Sequence, residues 1–136
     1  MKYELWYSVV VRDRNGKVVS RERRKSHSFL KAWNQLVFVH TSYINQSIKD
    51  TAGANRTVAP NKYDFGMDAG ANVTTYGIRV GTGNTPVAID DFALEIPIAN
   101  GVGVGQMSHL ACTVDGFIVA APSCSFLVHR AFENNS

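Results

Sequence analysis

Residues 77–101 read GIRVGTGNTPVAIDDFALEIPIANG. Tyr76, Ile78 and Val80 alternate with Gly77 and Arg79, the period of two expected of a strand. The strand runs into a series of turn formers, Gly81-Thr82-Gly83-Asn84-Thr85-Pro86. Glycine tolerates positive φ, asparagine enters the left-handed region, and Pro86 fixes its own φ while pushing Thr85 toward an extended conformation. Asp90 and Asp91 are placed to start a turn or to cap a short helical segment over Phe92, Ala93 and Leu94. Pro97 confines any strand around Ile96 and Ile98 to an edge or an end. The stretch therefore predicts a buried strand that ends in a rigid, folded-back loop, stapled to the core by Val87, Ile89, Phe92 and Leu94. Gly81, Gly83, Pro86, Asp91, Leu94 and Pro97 are the residues expected to set its shape.

The segments beyond this loop read as short strands separated by turns. Gly101-Val102-Gly103-Val104-Gly105 leads into an alternating segment over Met107 to Val114. Asp115-Gly116 is a turn, Phe117 to Ala121 a strand stopped by Pro122, and Ser125 to Phe132 the last strand. On the N-terminal side, residues 2–12 alternate, with Tyr3, Leu5, Tyr7, Val9 and Val11 on one face and Glu4, Trp6, Ser8, Val10 and Arg12 on the other. Asp13-Arg14-Asn15-Gly16 is a hairpin turn, because Asn-Gly accepts positive φ. The return strand, Lys17 to Lys25, ends in almost unbroken charge, so 2–25 reads as a basic hairpin with an exposed second strand. Phe29, Trp33, Leu36, Val37, His40 and Ile44 recur at helical spacing and predict one amphipathic helix over 28–46, capped by Ser26 or Ser28 and packed across a sheet face. Residues 47–74 read as a long loop or an insertion with short strands. The pattern predicts one mainly β domain over 1–136: an antiparallel β-sandwich or jelly-roll-like fold with a single helix.

Three segments carry a resemblance. The loop pattern V-G-T-G-x-T-x-V-x-x-x-D-x-A-L-x-x-P-I-x-x-G resembles one found in small virion structural proteins of tailed bacteriophages. Residues 28–36, SFLKAWNQL, resemble the early helix of those proteins, and residues 126–136, FLVHRAFENNS, their late R-x-F-x-N-x-S strand. The three lie in the family's order and cover about a third of the chain. The resemblance implies a virion part, made in the host cytoplasm, whose partners are other capsid or tail proteins. It also implies a further strand after N-x-S, where this sequence stops at Ser136.

Charge divides the chain. Residues 1–31 carry nine Lys/Arg against three acids, a net of +6, and the remainder five against eight, a net of −3. A basic third and an acidic body suggest two different faces. Met1-Lys2 leads straight into an alternating segment rather than an apolar leader, and no apolar run approaches the roughly 18–20 residues that span a bilayer. The two cysteines, Cys112 and Cys124, define no framework and are expected as free thiols in a reducing compartment.

Chemistry-bearing motifs are sparse. Gly101-x-Gly103-x-Gly105 lacks the strand–loop–helix setting and the following Lys-Ser/Thr of a phosphate loop. His109 with Cys112 and Cys124 with His129 are the only pairs that could build a Cys₂His₂ site or a Cys–His catalytic pair, and neither pair has zinc or nucleophile spacing. Asp90, Asp91 and Glu95, like Asp64 and Asp68, read as turn or solvated carboxylates rather than as an acid–base or cation site. No enzyme, metal or cofactor is expected. The sharpest electrostatic feature is Arg21, Arg23, Arg24 and Lys25. Nucleic-acid binding calls for aromatics interleaved with such charges, and Trp6 and Tyr7 fall on the neighbouring strand. An acidic protein surface is the favoured partner.

Together these readings predict a homo-oligomer, such as a trimer, that docks on a capsid as a decoration or cement-like protein, or on a tail, and stabilises the particle. The alternative is a receptor- or glycan-binding module of a tail fibre or baseplate. Tyr63 and Phe65 are the only aromatics in the 47–74 loop that could serve it.

Overall fold

The computed structural model describes residues 2–26 and 29–135. Its regular elements are mainly strands with one helix: β1 (Trp6–Arg12), β2 (Val18–Lys25), α1 (Lys31–Ser42), β3 (Gln46–Lys49), β4 (Asn55–Val58), β5 (Ser108–Val114), β6 (Ile118–Ala120), β7 (Ser123–Ser125) and β8 (Val128–Glu133). The strands form four separate antiparallel pairs, β1–β2, β3–β4, β5–β8 and β6–β7. No helix among the described residues is long and apolar enough to cross a membrane.

The first hairpin turns where Asn-Gly predicts it, held by Asp13. Asp13 Oδ1 accepts from the backbone N–H groups of Asn15 (2.9 Å) and Lys17 (3.0 Å), and only Gly16 takes a positive φ, +81°. A register shift after Val11 makes Val19 an extra residue on β2, a bulge that twists the ribbon.

Helix α1 is shorter than 28–46. At its C-terminus Tyr43 turns into the left-handed region (φ 58°) and donates to the Val39 carbonyl, so Ile44 leaves the apolar stripe. Its N-cap is Leu30, with no side-chain cap; Ser28 lies outside the described residues. The helix packs on β3 and on the 60s loop rather than across a sheet face. Trp33 meets Phe65 edge-on at 5.1 Å, and His40 Nε2 bonds Asp64 Oδ2 at 2.8 Å. Asp64, expected as a solvated carboxylate, also accepts from the Asn61 N–H and is only 15% exposed. Within the predicted 47–74 loop, β3 and β4 form a small hairpin around Asp50, which accepts from Ala52, Ala54 and Arg56.

The last predicted strand, 125–132, is divided. Ser125 belongs to β7, and β8 starts at Val128 and pairs with β5 across a bulge between His109 and Cys112. Val128, Arg130 and Phe132 face inward and are half-buried, while Phe126 lies off the ladder and is exposed.

The interior is small. Among the described residues, Val39, Ile48, Ala69, Cys112 and His109 are buried. Irregular chain from 59 to 107 is stitched to β5 by backbone bonds: Cys112 N–H donates to Ala69 O (2.7 Å) and Asn72 N–H to His109 O (2.8 Å). Arg130 completes the stitching from β8, donating to the carbonyls of Gly70, Val73, Ile78 and Leu110.

Candidate interaction surface

The basic ribbon and the 77–101 loop are the two surfaces singled out by sequence. Cross-strand register divides the four cations of the ribbon. Trp6 pairs with Lys25, Ser8 with Arg23 and Val10 with Arg21, so these six share one face. Arg24 pairs with Tyr7 on the opposite face and contacts Glu22. Trp6 is thus interleaved with the cations after all: the Arg23 guanidinium lies 5.1 Å from the centre of its ring. A cation held over an indole in this way gains about 0.5–1 kcal/mol at an exposed site.

Glu4 anchors the base of that face. Its Oε1 accepts from Lys25 Nζ at 2.7 Å and from Lys2 Nζ at 2.9 Å, and its Oε2 from the Trp6 indole at 3.3 Å. The Lys25 ammonium, then Lys2 and the Trp6 N–H, hold the Glu4 carboxyl down to about 2. Arg21 and Arg23 have no carboxylate partner among the described residues. Both faces of the ribbon are open: Val9, Val10, Val11 and Val19 are all exposed. A hollow of about 790 Å³ lies between its base and Val87 of the central loop, lined also by Trp6, Tyr7, Arg23 and Ser26.

The central loop folds back as its turn residues predict, but as a bridge rather than a strand. Ile98 N–H donates to Val80 O (3.0 Å) and Thr82 N–H to Ile96 O (2.9 Å), around an isolated Gly81–Pro97 bridge. Gly77 takes a positive φ of +83°, and Pro97 sits at the non-hydrogen-bonded position opposite Gly81, where its missing N–H costs the bridge nothing. A Cβ on Gly81 would sit 2.5 Å from the Ile96 carbonyl oxygen, so the close approach requires glycine. Glu95 closes the loop over Gly83, accepting from the Thr85 hydroxyl (2.8 Å) and N–H (3.1 Å), and the hydroxyl bond above all lowers its pKa. Asp91 accepts from Ala88 N–H (2.8 Å) and makes a turn, with no helix over 92–94. Pro86 is exposed at the tip.

The expected apolar staples do not hold the loop to a core. Val87, Ile89, Phe92 and Leu94 are all exposed, as is Ile96. Phe92 lies against the neighbouring hairpin, beneath Lys49 Nζ at 5.3 Å and beside Gly53. What closes the loop is polar: Glu95, Asp91 and the backbone bonds across Gly81.

Exposure on this scale extends over the whole chain. The accessible surface is 10536 Å². A compact monomer of 14.9 kDa exposes about 7,000 Å². The excess of about 3,500 Å² on one copy compares with large obligate interfaces that bury about 2,000–5,000 Å² over both partners together.

His109 and Cys112 lie in β5; His129 lies on the paired strand β8 opposite Thr113, on the other face from Cys112, and Cys124 lies on the separate β6–β7 ribbon. No three of His, Cys, Asp and Glu converge on a possible metal site among the described residues. His109 is fully buried against Phe132, with both ring nitrogens lacking a hydrogen-bond partner. Burial, then the Arg130 and Arg79 guanidiniums, lower its pKa, while the Ile98 backbone pulls the other way without hydrogen-bond geometry. No protein-family model, no curated protein and no solved structure matches this chain.

Proposed function

We propose that this chain is a structural protein of a tailed-bacteriophage particle that docks on the capsid or tail and stabilises it. The observation that carries the reading is the surface excess: a chain exposing about 3,500 Å² more than a compact monomer is built to be covered by neighbours. The loop, helix and late-strand motifs supply the phage assignment by resemblance. In the assembled particle, the four ladders gain the further strands that an isolated pair lacks, and a sandwich or jelly-roll-like packing arises between subunits. The assembly is a homo-oligomer, and the exposed apolar loops provide its contacts.

Counting copies on purified particles by quantitative mass spectrometry tests this reading. Hundreds of copies place the chain on the head or tail tube, and tens or fewer on the fibre or baseplate. Its absence from particles overturns the reading.

One observation favours a receptor-binding module instead. Tyr63 is 72% exposed at the tip of the 60s loop, an open aromatic of the kind that stacks on sugar rings. Lys62 Nζ lies 4.8 Å over that ring and covers one side of it. Glycan-array binding that is lost in Tyr63→Ala would favour the module.

A further inference from the structure

We propose that the β1–β2 arm of one copy lies across the central loop of a neighbouring copy, residues 87–96, so that arms pass from subunit to subunit around a closed ring. This names the partner of the basic face within the proposed assembly and rests on reading the chain as an assembly subunit.

Three observations carry it. The first is charge. Residues 80–129 contain Asp90, Asp91, Glu95 and Asp115 and no lysine or arginine, whereas Arg21 and Arg23 of the arm pair with no carboxylate among the described residues. The second is apolar matching. The arm face that carries these arginines also carries Trp6 and Val10, and the loop exposes Val87, Ile89, Phe92 and Leu94 around Asp90. A two-stranded ribbon open on both faces is marginal in water and gains most from being covered.

The third observation is reach. The arm's base already lies beside Val87 of its own copy, and Lys31 N–H donates to Ile89 O just after it (2.7 Å). From that base, seven residues of β1 extend about 23 Å. Trp6 and Arg23 stay at that base beside their own Val87, and Val10 and Arg21, four residues beyond the Trp6–Lys25 pair along each strand, lie about 13 Å further out, where a second copy supplies the loop they meet. Arm and loop are different surfaces, so the contact is head-to-tail; such a contact makes a ring where its rotation closes and a filament where it does not, and a discrete oligomer marks the ring.

Sedimentation of the purified chain, without particles, tests the proposal. The wild type is expected to run as a discrete oligomer that loosens in 1 M salt, where the Debye length falls to about 3 Å. Arg21→Glu/Arg23→Glu is expected to weaken self-association on the order of a hundredfold with an unchanged circular dichroism spectrum. Mixing it with Asp90→Arg protein should restore association. A Val10→Cys/Ile89→Cys pair, in a Cys124→Ser background, should give cross-linked copies on a non-reducing gel. A monomeric wild type overturns the proposal. So does an oligomer that survives the reversal and yields no cross-link. Single-stranded oligonucleotide binding that the reversal abolishes, with self-association untouched, overturns it in favour of nucleic acid. The two readings fail separately: an arm-dependent oligomer absent from particles sustains this contact and sinks the virion assignment. A chain that binds particles but stays monomeric in solution does the opposite.

Discussion

Nη2 of Arg130 donates to the carbonyl of Val73 at 2.7 Å, across 57 residues of chain. The same guanidinium serves Leu110 through Nε and Ile78 through Nη1, so one side chain gathers the irregular segment onto the β5–β8 ladder. Lysine has the charge but not the planar fork. Arg130→Lys is expected to lose about 2–4 kcal/mol, read from urea denaturation, because several part-buried carbonyls lose a charged donor together. An unchanged midpoint would show that water serves those carbonyls equally well.

His109 makes stability depend on pH. Its folded pKa is lowered from 6.5, chiefly by burial, so the unfolded chain takes up the proton first as pH falls. The unfolded state then binds more protons, and stability declines as pH falls through about 6.5 toward the lowered folded value. His109→Phe keeps the ring against Phe132 and removes two unpartnered nitrogens. The variant should be about 1 kcal/mol more stable at neutral pH and should lose this part of the slope. Parallel slopes for the two proteins would contradict it.

Glu4 titrates in the opposite sense. Its carboxyl is held down from 4.5 to about 2, first by Lys25. A depressed carboxyl contributes fully above its ordinary value, and that contribution fades as pH falls toward the folded one. The side-chain carbonyl resonance of Glu4 should therefore titrate near 2 in low salt. It should move back toward 4.5 in Lys25→Ala and in 1 M salt, since the group is open to solvent.

Gly77 is held by conformation and by space together. Its φ is +83°, and a Cβ there would lie 2.7 Å from the Cβ of the fully buried Ala69. Gly77→Ala should cost about 2–4 kcal/mol, from the left-handed backbone and the overpacking combined. Adding Ala69→Gly should recover the packing part and leave the backbone part, a separation that a double-mutant cycle measures.

Much of the local structure was legible before any coordinates. The first hairpin, β5 and β8 declare themselves as strands through alternation and turn chemistry, because that pattern is read from neighbours a few residues away. The division of the cations was legible too. Arg21, Arg23 and Lys25 are spaced by two and must share a face, leaving Arg24 on the other. That Trp6 joins them depends on cross-strand register, which the turn at Asp13 and the bulge at Val19 decide. The shortening of α1 came from Tyr43, whose left-handed turn no periodicity announces. Arg130 was invisible as an organiser, since its four carbonyls come from positions 70 to 110. The loop staples misled for a different reason: Val87, Ile89, Phe92 and Leu94 signal burial, and hydrophobicity does not say in which molecule.

The four separate ladders bear on how this protein melts. Each pair of strands leaves two outer edges unpaired, and the fully buried interior is confined to a few side chains. Little cooperativity can pass from one ladder to the next inside a single copy. If copies complete each other, diluting the protein and unfolding it become the same event, and its melting temperature becomes a function of concentration rather than a constant of the chain.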